Sequence, residues 1–198
     1  CEGSSQNHPF ITMFSPTGEL LWETFMSDDL EPNYYEHIML VTSNDDIILA
    51  RTADQQWAAR FSSVDGECLW QTTWNIANEE GSIIFDGALD GEGNIVLGGE
   101  TDQGSVTHYF LSKLDEDGNL LWTAIHDGSS IDYIGIGMAI AIRPDDSIAI
   151  GGLCFLDEYY QMHVATFDES GNFLWMWTYE DQQPPYWSSC NDIAATDD

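Results

Sequence analysis

One short pattern, Gly-x-x-Leu-Trp, recurs four times in this chain and constrains the fold more than any other feature, because a fixed period implies a stack of like units. It closes residues 14–22 (FSPTGELLW), 61–70 (FSSVDGECLW), 114–122 (LDEDGNLLW) and 167–175 (FDESGNFLW). The tryptophans Trp22, Trp70, Trp122 and Trp175 follow one another at intervals of 48, 52 and 53 residues. Each copy reads as a β-hairpin. An apolar strand enters a turn of Ser, Asp, Pro or Glu that ends in Gly, which supplies the positive φ such a turn needs. A second strand then carries the Leu-Trp pair.

A second hairpin lies between successive copies. It pairs residues 37–42 (HIMLVT) with 47–50 (IILA), 83–85 (IIF) with 95–99 (IVLGG), and 138–142 (MAIAI) with 148–152 (IAIGG). The intervening turns, 44–46, 90–94 and 144–147, are acidic. Two hairpins per period give a four-stranded antiparallel sheet of about fifty residues, the size of a propeller blade. The strands are apolar on both faces, as expected of sheets sandwiched between neighbours. Trp22, Trp70, Trp122 and Trp175 are accordingly predicted to be core packing between blades.

The succession of Asp-x-x-Gly-Asn, Leu-Trp, an Ala-Ile-Ala strand, Asp-Gly-x-Gly-Asn and Ile-x-x-Gly-Gly resembles the bacterial seven-bladed β-propeller repeats (SBBP type). It is also similar to pyrroloquinoline-quinone-type propeller repeats, with their Gly-x-x-x-Trp strand ends. The resemblance covers residues 9–198 and leaves 1–8 as an N-terminal tether. It implies an all-β fold: a β-propeller of four-stranded antiparallel blades, present as a partial ring of about four repeats. The inner strands would begin near Met39, Ile83, Met138 and Ile193, with the Trp strand outermost. The chain would then open with two outer strands (10–14 and 20–24), run through three blades, and enter an inner strand at 192–195. Closure as four blades would lack one strand and leave backbone groups unpaired. A longer chain or another polypeptide is therefore expected to complete the ring.

Charge excludes some partners. Against 35 Asp and Glu stand only Arg51, Arg60, Lys113 and Arg143, a net charge of −31. Such a surface repels phosphate backbones, so no nucleic-acid partner is expected. It also repels anionic lipid, which leaves a covalent anchor as the route to a membrane. The sequence opens on Cys1 followed by a polar stretch, the pattern of a bacterial lipoprotein cleaved before its lipidated cysteine, so Cys1 is the expected lipidation site. The expected location is extracytoplasmic: the bacterial cell surface or periplasm. There a disulfide is permitted, and Cys154 and Cys190 are expected to form one across the exit of the third blade. Cys68 should remain a buried free thiol.

Strand order sorts the loops onto two ends. Both hairpin turns of every blade fall at one end, and the longer connections at the other. The long-loop end carries Tyr34, Tyr35, Tyr133, Tyr159, Tyr160, Tyr179, Tyr186 and Trp187. Aromatic rings beside carboxylates suit a protein or carbohydrate ligand. At the turn end, Asp115 and Asp117 are the candidate ligands should calcium be bound. Their run departs from a calcium loop, with Gly118 at the fourth position where the sixth is required. His8, His37, His108, His126 and His163 lack ligand spacing and read as ordinary surface or edge residues. No nucleophile elbow, phosphate loop or zinc-protease motif is present. The sequence therefore favours a non-enzymatic binding scaffold without a cofactor, calcium aside. A quinoprotein-like oxidoreductase or hydrolase propeller domain is the alternative.

Overall fold

The hairpin turns set the architecture. In the computed structural model, which describes residues 10–26, 37–52, 55–76, 81–103, 106–126, 133–156, 159–179 and 188–196, one turn design recurs at six hairpins, and the Ser62–Glu67 turn is one residue longer. At the first hairpin the Ser15 N–H donates to Glu19 O at 2.8 Å and the Gly18 N–H to Ser15 O at 2.9 Å, with Gly18 at φ +85°. This is a type I turn closed by a left-handed residue, the geometry that begins a bulge. The same pair of bonds recurs from Asp90 to Asn94, from Asp115 to Asn119 and from Asp168 to Asn172. Asp45 (φ 68°) and Asp146 (φ 58°) take the left-handed position where no glycine is available.

The described residues form fourteen strands. A two-stranded sheet, β1 (Phe10–Phe14) and β2 (Leu20–Phe25), precedes three four-stranded antiparallel sheets. The first comprises β3 (His37–Val41), β4 (Ile47–Thr52), β5 (Gln56–Phe61) and β6 (Cys68–Trp74). The second comprises β7 (Ile83–Leu89), β8 (Ile95–Gln103), β9 (Val106–Leu114) and β10 (Leu120–His126). The third comprises β11 (Tyr133–Ile142), β12 (Ile148–Leu156), β13 (Tyr159–Phe167) and β14 (Phe173–Thr178). Within each sheet the strands lie in sequence order, so the Trp strand is outermost. The fold is an all-β arc of propeller blades, and its sheets do not close into a ring.

The repeated leucine has a structural reason. In each outer pair the register slips by one residue just before the Trp: Met13 faces Trp22 while Phe14 faces Leu20, and Lys113 faces Trp122 while Leu114 faces Leu120. Likewise Arg60 faces Trp70 while Phe61 faces Cys68, and Thr166 faces Trp175 while Phe167 faces Phe173. The unpaired extra residue is Leu21, Leu69, Leu121 or Leu174, and all four are exposed. A bulge on an outer strand twists the edge and interrupts its row of backbone groups, which discourages edge-to-edge pairing.

Three apolar cores fill the three interfaces between sheets. Ile11, Trp22 and Met26 pack on Ile47, Leu49, Trp57 and Phe61. Ile38, Ile48 and Trp74 pack on Ile84, Leu97 and Phe110. Val96, Tyr109 and Leu111 pack on Ile140, Ile150, Cys154 and Phe167. The outer tryptophans add a second layer by seating on the next blade's turn glycine. A Cβ on Gly66 would meet the Trp22 ring at 2.6 Å, one on Gly118 the Trp70 ring at 2.7 Å, and one on Gly171 the Trp122 ring at 2.8 Å. The indole N–H of Trp22 donates to Ser63 O and that of Trp70 to Glu116 O, each at 2.9 Å.

Four expectations need correction. Trp175 is not core: it is 50% exposed, since no following turn covers it among the described residues. Residues 192–195 are not a strand, because no second strand of that blade is present among the described residues to complete a ladder. Strand β11 begins at Tyr133, ahead of Met138. Cys68 is exposed, lying on an outer strand beside the bulge.

Candidate interaction surface

At the turn end the carboxylates are engaged by their own turns. Asp115 Oδ1 accepts from the Asp117 N–H at 3.0 Å and the Asn119 N–H at 2.8 Å, and the Asn119 side-chain amide reaches Asp115 Oδ2 at 2.9 Å. Asp168 is held in the same way by Ser170 and Asn172. The Asn119 amide, then the backbone N–H donors, hold the Asp115 carboxyl below its usual range. Asp117 stands beside it through its backbone N–H. Among the described residues no group of three or more His, Cys, Asp or Glu side chains is arranged to hold a metal ion.

Two of the four cations also serve this end. Lys113 Nζ meets Asp90 Oδ2 at 2.8 Å, and Arg60 meets Asp46 Oδ2 at 3.0 Å. Arg60 and Lys113 both face the Trp of their blade, one register position from the bulge. Each ties the inner turn of a blade to its outer hairpin. Arg60 also donates to Glu116 O in the next blade at 3.1 Å.

The opposite end and the open side of the third blade present aromatic surface. Strand alternation places Trp175, Trp177 and Tyr179 on one side of the sheet, with Tyr160 on the same side because it shares the parity of Val164 and Thr166, which face Trp177 and Trp175. They are 50%, 50%, 41% and 37% exposed. The Trp177 and Tyr179 rings lie 6.0 Å apart, and the Tyr179 N–H donates to Met162 O at 2.8 Å, holding that end of the row against β13. Of the aromatics read as a loop surface, Tyr160 and Tyr179 thus come together on a blade face. Tyr133 and Tyr159 open β11 and β13. Tyr34, Tyr35, Tyr186 and Trp187 lie outside the described residues, as does Cys1. The sequence reading missed Trp175 and Trp177 as surface residues, since a repeat marks a position as core only where a neighbouring blade follows.

Cys154 and Cys190 stand as free thiols. Cys154 belongs to the core facing the second blade. Cys190 Sγ fills the space a Cβ on Gly151 would enter, with Ile193 beside it. Gly151 and Cys154 are an odd number of positions apart on a strand paired without slippage to β13, so the two sulfurs flank opposite faces of one sheet. That parity is why the expected disulfide is not formed. Burial pushes the Cys154 thiol up to about 11. Beside Cys154 in the same interface, the Tyr109 hydroxyl bonds to His163 Nε2. His163 is not an edge residue but fully buried, and burial, then the charge of His126, lower its pKa to about 4.

No family model and no curated protein matches this sequence. Among solved structures, the chain is similar to one described as the structure of the Dos1 propeller, at 10% identity with a TM-score of 0.57 over 95% of this chain. It spans 45% of that propeller, less than half its length. A protein of unknown function from Bacteroides caccae also aligns, at 10% identity over 92% of this chain and 78% of the other, with a TM-score of 0.36. The first likeness agrees with the blade architecture: the fold is that of a β-propeller arc.

Proposed function

We propose that this chain is a non-enzymatic binding scaffold working outside the cytoplasm, engaging protein partners through an aromatic blade face. The observation that carries this reading is the row Trp175, Trp177 and Tyr179 with Tyr160, exposed together on one side of the third blade. Aromatic residues at this density on an open face supply large apolar contact area with few rotatable bonds, the composition of interface centres. The carboxylates at the turn end offer less, because their oxygens are taken up by the turns that hold them. The extracytoplasmic setting follows from the resemblance of the repeats to those of secreted and surface propellers.

The test is a photo-crosslinking residue placed at Trp177 in the otherwise native chain, run beside a titration with pyrroloquinoline quinone and calcium. A discrete protein adduct, with tryptophan fluorescence unmoved by the quinone, supports the scaffold. Saturable quenching by the quinone together with dehydrogenase activity would establish the oxidoreductase reading instead.

A further inference from the structure

We infer that the cleft between the β1–β2 hairpin and the first four-stranded sheet binds an uncharged, planar aromatic small molecule. The site is separate from the aromatic face of the third blade and goes beyond the scaffold reading. The cleft measures about 440 Å³, within the range of small-ligand pockets. Phe25 and Met26 line it from the hairpin, and Trp57, Phe61, Cys68 and Trp70 from the sheet. Met26, Trp57 and Phe61 are buried and belong to one packed core, so this part of the lining is already formed in the folded chain.

Two small side chains open the cleft at this junction. The residue facing the end of the preceding strand across the bulge is Cys68 in the first sheet, Leu120 in the second and Phe173 in the third. The residue four places after the outer tryptophan is Met26 before the first sheet, Trp74 before the second and His126 before the third. At the third sheet, His126 stacks on Phe173 with centroids 4.3 Å apart and planes at 8°, and meets Phe167 edge-on at 5.8 Å. At the second, the Trp74 indole is buried and its N–H donates to the Ser112 hydroxyl at 3.0 Å. A flat ring of the chain itself thus fills this place at two junctions. At the first, a thioether and a thiol stand there between aromatic walls, and the shape fits a ring brought by a ligand.

Charge selects the class. In a chain with 35 Asp and Glu, no described residue of the lining is charged. An ion placed there would lose water without gaining a partner, so the ligand is neutral. Polar handles are few. The Thr24 hydroxyl donates to Gly66 O at 2.7 Å and the Cys68 thiol to Trp70 O at 3.4 Å, so the Gln71 amide serves a single polar group on the ligand.

The test is titration of the full chain with N-phenyl-1-naphthylamine, a neutral fluorescent probe, read by energy transfer from tryptophan. Saturation at one probe per chain is expected. Cys68→Phe and Cys68→Leu place in the cleft the residues found at this position in the third and second sheets, so each suits the hairpin. Each should weaken binding by about tenfold or more, while Leu121→Ser, on a bulge outside the cleft, should bind as the wild type does. Bound probe should also slow alkylation of Cys68 by iodoacetamide. No saturable binding, equal binding by the Cys68 variants, or unchanged alkylation of Cys68 at saturation would each overturn the site. Equally tight binding of the anionic 1-anilinonaphthalene-8-sulfonate would overturn the neutral class.

Discussion

Replacing Gly118 by alanine should destabilise the protein several times more than the same change at Gly93. Both glycines sit at positive φ, +82° and +86°, so each alanine carries a left-handed strain of about 1–2 kcal/mol. At Gly93 nothing lies within 4 Å of the new methyl, and the strain is the whole effect. At Gly118 the methyl would stand 2.7 Å from Trp70 Cε3 and 2.9 Å from Cδ2. The indole must move, which adds an overpacking cost of about 1–3 kcal/mol. Its shift also strains the Trp70 N–H bond to Glu116 O, worth about 1 kcal/mol. The expected difference between the two variants is therefore about 2–4 kcal/mol, from terms that act only at Gly118. Urea unfolding followed by far-ultraviolet circular dichroism measures it, with glycine and alanine chains compared at equal slope. Equal losses at the two positions would refute the seating of Trp70 on the next blade's turn.

Three further outcomes follow from the same structure. Lys113→Met leaves the Asp90 carboxylate in a mostly buried site without its cation, and should cost about 3 kcal/mol; Lys113→Met with Asp90→Asn should recover part of this in chemical denaturation. Asp115 and Asp168 have folded pKa values depressed below 3.8, so the unfolded chain takes up protons first as pH falls. Their stabilisation is present above pH 3.8 and lost through the depressed folded values. Melting temperature should fall in acid, and the slope should flatten in the Asp115→Asn, Asp168→Asn chain. Finally, native-state alkylation should label the exposed Cys68 before the buried Cys154 and Cys190; three cysteines reacting at one rate, or Cys154 and Cys190 failing to react after unfolding without reductant, would contradict the assigned thiols.

Much of the blade was legible because its signals are local. Gly18, Gly118 and Gly171 mark turns whose conformation only a left-handed residue satisfies, and the Leu-Trp pair four residues on marks the outer strand. The Trp strand's outer position was implied by the resemblance to propeller repeats, and the sheet order agrees with it. What the sequence hid depends on neighbours in space. Trp175 carries the same motif as Trp122, but only Trp122 has a turn glycine over it. The four leucines before the tryptophans are unpaired bulge residues, a role set by register and not by residue type. Cys154 and Cys190 both lie at the third blade, but the face each occupies depends on strand parity and on how the C-terminal segment lies along β12. His163 looked like an edge histidine because its burial comes from Tyr109 of the adjacent blade, 54 residues away.

The most direct test of the account is the nuclear Overhauser pattern around the turn glycines in solution. The Hα protons of Gly66, Gly118 and Gly171 should be shifted upfield by ring currents and show cross-peaks to Trp22, Trp70 and Trp122 respectively, while Gly93 shows neither. Cross-peaks from each glycine to the tryptophan of its own hairpin, as from Gly118 to Trp122, would contradict the stacking of blade on blade and with it the propeller arc.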